Sequence, residues 1–135
     1  MHIYYHKVKY YETDKMGISH HSNYIRWMEE AKMDYLEALG FSMENIEATG
    51  VTSPVIGVEC QYKHTTTFSD NVRIEVELFE YTGVKINLSY KMYNDATGAL
   101  VATGKSSNCY IDEKGNPISV RKAFPEFDAK LKSEV

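Results

Sequence analysis

Between Tyr11 and Leu39 the chain reads YETDKMGISHHSNYIRWMEEAKMDYLEAL. Asp14 stands a few residues ahead of a long amphipathic stretch, with Gly17, His20 and His21 filling the gap. A carboxylate held near a helix N-terminus, where unpaired backbone N–H groups and the positive end of the dipole gather, suits attack on a polarised carbonyl. His20 and His21 are metal-ligand types, but adjacent histidines are expected to point in different directions, and no third ligand stands at a spacing such as HExxH. The spacing therefore points to carboxylate chemistry without a metal.

The elements around this run must position it. Residues 2–11 alternate, with Tyr4, His6, Val8 and Tyr10 on one side and Lys7 and Lys9 on the other, which predicts a half-buried strand ending near Tyr11. The following residues lack periodicity, and Ser22 or Asn23 is the expected N-cap. Tyr24, Met28, Ala31, Tyr35 and Leu39 then form one helical stripe, widened by Ile25, Trp27, Leu36 and Ala38, with Arg26, Glu30, Asp34 and Glu37 opposite. Gly40 sits where a C-terminal cap belongs. A short helical turn around Met43–Ala48 is expected before the breaker Pro54.

Three clean period-two runs follow: Ile56 to Lys63, Val72 to Leu78 and Val84 to Met92. A fourth runs from Leu100 to Ile111, and turn chemistry at Ser69-Asp70-Asn71, Thr82-Gly83 and Asn94 to Gly98 separates them. This order predicts a four-stranded antiparallel meander covering one helix, an α+β two-layer domain over residues 1–135. Gly104 and Ser106-Ser107-Asn108 make the middle of the fourth run small and polar, as a bulge or a ligand-facing surface would be. The charged tail after Pro125 is expected to be a short helix or a frayed end.

Composition excludes several classes. The 135 residues suit a single domain, and with 43% hydrophobic residues the core needs neither metal nor disulfide. A net charge of −4 with no Lys/Arg run argues against nucleic acid. Cys60 and Cys109 are far apart in apolar surroundings, which fits reduced thiols. With no secretion signal and no apolar run long enough to span a membrane, a soluble cytoplasmic protein is the expectation.

Thr13-Asp14-Lys15-Met16-Gly17, followed by His21-Ser22-Asn23-Tyr24 and Met28-Glu29-Glu30-Ala31-Lys32, resembles the hotdog-fold acyl-CoA thioesterases of the 4-hydroxybenzoyl-CoA thioesterase family. Those proteins pair Asp-x-x-Gly with an aromatic residue or histidine seven positions after the Asp, then Tyr and a helical Glu-x-Ala-Arg/Lys pattern. The resemblance implies an antiparallel sheet wrapped around a central helix and hydrolysis of an acyl-CoA to free acid and coenzyme A, without a cofactor. It also implies Asp14 as nucleophile or general base, the His21 backbone N–H as oxyanion donor, Gly17 as the residue that frees the loop backbone, and Tyr24 near the acyl entrance or subunit interface. Lys15-Met16 and His20 depart from the small or Pro-containing pair and the aromatic residue seen in relatives.

Glu29 and Lys32 invite a second reading. Lys32 falls inside the apolar sector and Glu29 at its edge, so they are expected to pair on one helix face. Glu29 is also the alternative carboxylate, since other hotdog thioesterases carry theirs on the central helix. Coenzyme A needs cations for its phosphates, and Lys63, Lys85, Lys91, Arg73, Lys105 and Arg121 are candidates on or beside strands, among which the sequence does not choose. Ser106 is a further substrate-binding candidate. The alternatives to an acyl-CoA thioesterase are an acyl-carrier-protein thioesterase and a non-catalytic acyl-CoA binding module. An exposed sheet edge leads us to expect a homodimer or homotetramer.

Overall fold

The computed structural model describes the whole chain, Met1–Val135. Its strands are β1 (His2–Lys7), β2 (Val55–Tyr62), β3 (Asn71–Tyr81), β4 (Lys85–Asn94) and β5 (Leu100–Cys109). They form one fully antiparallel sheet in the order β1-β3-β4-β5-β2. Helix α1 (Ser22–Ala38) lies along one face. The helices α2 (Met43–Glu47), α3 (Val120–Ala123) and α4 (Pro125–Glu134) complete the chain. This is the sheet-around-helix arrangement of the hotdog fold.

Alternation decides what the sheet buries. Val72, Ile74, Val76 and Leu78 of β3 and Ile86, Leu88, Tyr90 and Met92 of β4 point toward α1, and all are buried. They meet Tyr24, Trp27, Met28, Ala31, Tyr35 and Leu36 from the helix in one continuous core. Burying one such apolar side chain contributes roughly 1.5–3 kcal/mol relative to exposure, so this interface dominates the stability of the domain. The end of α1 follows from Gly40, whose φ of +91° lets the Phe41 N–H reach back to Leu36 O.

Several sequence expectations are corrected. The first strand stops at Lys7, and Tyr10–Glu12 form a single 3₁₀ turn that leaves Tyr10 75% exposed. The second strand is not part of a meander: β2 pairs with β5 at the far edge, and β3 pairs with β1. The turn residues Ser69-Asp70-Asn71 end a longer connection that carries the chain from the β2 edge to β3, the strand beside β1. Neither Ser22 nor Asn23 caps α1 through its side chain; His21 occupies the cap position with helical φ and ψ. Ile25 is 39% exposed, so the apolar sector of α1 is narrower than the stripe suggested. The tail is a docked helix, anchored by the buried Phe127 and Leu131.

No helix is long and apolar enough to cross a membrane. Both cysteines are free thiols.

Candidate active site

Asp14 opens a miniature hairpin. Its N–H donates to Ile18 O at 2.9 Å, its carbonyl accepts the Gly17 N–H at 3.0 Å, and its Oδ1 accepts the Met16 N–H at 2.8 Å. Gly17 turns the chain with φ +78°, a conformation that disfavours any side chain. Asp14 is partly exposed, and its second carboxylate oxygen makes no hydrogen bond within the chain. One oxygen thus orients the carboxylate while the other stays available.

The returning arm of the hairpin leads into α1. Ser19 is fixed to the β2–β3 connection, its N–H donating to Thr66 O at 2.8 Å and its hydroxyl 2.7 Å from Thr66 Oγ1. Tyr24 adds its hydroxyl to Thr66 Oγ1 at 3.0 Å. The His20 N–H donates to Glu12 O, the Asn23 N–H to His20 O and the Tyr24 N–H to His21 O. The His21 N–H makes no hydrogen bond within the chain. It is a free donor at the positive end of the helix dipole.

Beside this amide lies a cleft of about 260 Å³ lined by Ile18, Ser19, His21, Tyr24, Tyr62, Lys63, His64 and Thr65. Tyr62 of β2 donates its hydroxyl to His21 O at 3.2 Å and packs edge-on against the Tyr24 and His21 rings. Burial pushes the Tyr24 and Tyr62 phenols up, which keeps both neutral near neutral pH. Burial also raises the Cys60 thiol, so this sulfur is a poor nucleophile. Asp14 is not in the cleft wall; it sits on the hairpin that delivers Ile18 and Ser19 to it. A wider groove of about 560 Å³ lies at the opposite end of α1, between Leu39–Phe41 and α4.

The remaining candidates are dispersed. Lys63 lines the cleft, whereas Lys85 and Lys91 alternate with the buried residues of β4 and occupy the sheet face away from α1. Ser106 points inward, and its hydroxyl is paired with Tyr90 at 2.7 Å. Lys32 is buried and Glu29 half-exposed, with Nζ 2.9 Å from Glu29 Oε2, an ion pair on the helix face as their spacing predicts. The His20 and His21 rings do not diverge as expected: they pack against each other with centroids 4.3 Å apart, the His20 ring being held at the start of α1 by Ser22 Oγ, 2.8 Å from its Nδ1.

Sequence reasoning missed Glu12, Tyr62 and Thr66. An acidic residue between Tyr11 and Thr13, at the end of an apolar alternating run, was the available signal for Glu12. Thr66 carried none, because its contacts are made across the fold.

The description "thioesterase-like superfamily" matches residues 8–134. A Bacillus subtilis protein named "Putative acyl-CoA thioesterase YneP" is 35% identical over 121 residues, covering 90% of this chain and 88% of that one. The crystal structure of a DHNA-CoA thioesterase from Staphylococcus aureus superposes with a TM-score of 0.93 at 31% identity, covering 97% of this chain and 88% of the other. The structure of BH1999, a gentisyl-coenzyme A thioesterase, gives a TM-score of 0.84 at 25% identity, covering 96% and 99%. With the family match spanning nearly its whole length and the fold shared with these enzymes, the chain belongs to the thioesterase-like superfamily of hotdog-fold thioester hydrolases.

Proposed function

We propose that this protein hydrolyses an acyl-CoA to a free acid and coenzyme A, with Asp14 driving the reaction and the His21 N–H receiving the thioester oxygen. The observation that carries this reading is the His21 amide: an unpaired donor at the start of α1, in a residue that lines the cleft and follows the same loop as an oriented carboxylate. As general base, Asp14 takes a proton from water while the water oxygen bonds to the thioester carbon. As nucleophile, it forms an acyl anhydride that water then opens. On either route the C–S bond breaks, the thiolate leaves and is protonated, and the acid departs. The His21 N–H receives the oxyanion charge in this reading, and one such donor is worth ~10²–10³ in rate. Gly17 and Tyr24 serve by shaping the loop and the cleft wall. Lys63 is the cation best placed for a coenzyme A phosphate.

The working unit in this reading is a homodimer joined through β2. That strand has a neighbour on one side only, and Val55, Ile56, Val58 and Tyr62 are each 46–50% exposed on it. A free backbone edge with apolar side chains on both faces favours a second copy. The partner's strand would then supply the wall that Asp14 lacks in one chain.

A panel of aliphatic and aromatic acyl-CoAs, read by release of free thiol, tests the activity, and carrier-bound acyl groups run alongside test the carrier alternative. Asp14→Asn is expected to fold normally and lose ~10²–10⁴-fold in turnover. Full turnover by that variant would remove the proposed role of Asp14.

A further inference from the structure

Glu12 is one of the few buried charged groups in the chain, 6% exposed, and its side chain accepts three hydrogen bonds. Oε1 takes the Lys9 N–H at 2.8 Å and lies 2.8 Å from His6 Nε2, while Oε2 takes the Trp27 indole N–H at 2.7 Å. One carboxylate thereby joins β1, the 3₁₀ turn and the buried side of α1. The backbone carbonyl of the same residue accepts the His20 N–H at 2.8 Å and the Asn23 side-chain amide at 2.9 Å. Glu12 is thus fixed to the sheet and helix through its side chain and to the residue before His21 through its main chain. It stands two residues before Asp14.

We infer that Glu12 is a positioning residue for the thioester chemistry: its buried carboxylate is the fixed point from which both the Asp14 hairpin and the His21 amide are held relative to α1. The inference rests on the roles proposed for Asp14 and His21 above. Its physical basis is that Trp27 and His6 are themselves buried, so a carboxylate satisfying both has little freedom to shift. Burial alone would push the Glu12 carboxyl up, but hydrogen bonds from the Lys9 N–H, the Trp27 indole and His6 hold it below the usual range, so it is a full acceptor at neutral pH. Glu12→Gln keeps the shape but turns one acceptor into a donor facing an N–H, which loosens the anchor without emptying the space.

The experiment compares wild type, Glu12→Gln, Asp14→Asn and the double variant on the best thioester of the panel, with amide hydrogen exchange read over residues 13–24. Glu12→Gln is expected to lower kcat ~10–100-fold with KM little changed, since a displacement of about an ångström at a reacting group costs on that order. In the Asp14→Asn background it is expected to add less than about twofold, because residues acting as a unit are not additive. Exchange at His20 to Asn23 is expected to accelerate while the β3–β4 core is unchanged. Wild-type kcat in Glu12→Gln, an equal loss in both backgrounds, or unaltered exchange in the loop would each overturn the inference. If Glu12→Gln does not fold, Trp27→Phe removes the indole donor together with part of a fully buried ring and is expected to give a smaller loss with the same kcat pattern; wild-type behaviour there overturns it equally. A wild type inert on every thioester would defeat the proposed activity, while the exchange measurement would still decide whether Glu12 anchors the loop.

Discussion

Gly104 of β5 lies directly beneath Met28 of α1: a Cβ built on Gly104 would stand 2.8 Å from Met28 Sδ and Cε and 3.0 Å from Glu59 O. The small middle of the last strand is therefore neither a bulge nor a ligand surface at this position. It is the groove into which the central helix settles.

Gly104→Ala should accordingly destabilise the fold by about 1–3 kcal/mol, as overpacking of a close-packed interface does. The flexible end of Met28 can shift, but Glu59 O belongs to the adjacent strand and cannot. Urea unfolding should show a lower midpoint, and the loss from Gly104→Ala should be smaller, but not zero, when measured in a Met28→Ala background, because the backbone contact remains.

Stability should fall at acid pH through two carboxylates. Glu12 is held below its ordinary value near 4.5 by the hydrogen bonds described above. Asp128 is held below 3.8 by the Tyr81 hydroxyl, which donates to Oδ1, and by Lys132 at 3.1 Å. Both groups bind protons more readily in the unfolded chain, so stability rises with pH across this range. Their contribution should be complete above the unfolded values and disappear as pH falls through the lower folded ones. Urea midpoints at a series of pH values between 7 and 3 check this, and Asp128→Asn should show a shallower decline.

The Glu29–Lys32 pair should respond asymmetrically. Glu29→Gln leaves a nearly buried ammonium without its partner and should cost about 1–3 kcal/mol, whereas Lys32→Met removes the charge from an apolar sector and should be close to neutral. Thermal unfolding of the two variants decides this. If Glu29 is instead the reacting carboxylate, Glu29→Gln will also abolish turnover in the protein that remains folded.

Val58→Lys should break the proposed dimer. Placing a charge at the centre of the β2 edge opposes strand pairing between copies. Light scattering should give a monomer mass, and thiol release should drop with it. A dimer of normal activity would show that β2 is not the joining edge.

Much of this molecule was legible in its residues. Period-two alternation located β2, β3 and β4, and the helical stripe of Tyr24, Met28, Ala31 and Tyr35 located α1; in β3, β4 and α1 the pattern is imposed by burying one face of a regular element. Gly40 marked the end of α1, where only a residue without a Cβ takes the required backbone angles at little cost. The Glu29–Lys32 pair was readable for the same local reason.

What lay outside the sequence was everything set by distance along the chain. Strand order was one such property: β2 and β3 are consecutive, yet they sit apart because a long connection lets the last strand take the place beside β2. Lys63 and Lys91 both read as exposed strand cations, and only the sheet decided that one reaches the cleft while the other faces away from α1. Residue patterning determined which elements exist, and the motif from Thr13 to Lys32 determined which family the chain resembles and which carboxylate is proposed to react. Only the tertiary structure decided that Glu12 is buried between His6 and Trp27 and that Thr66 receives Ser19 and Tyr24, because hydrogen bonds between remote segments have no periodicity for a sequence to display.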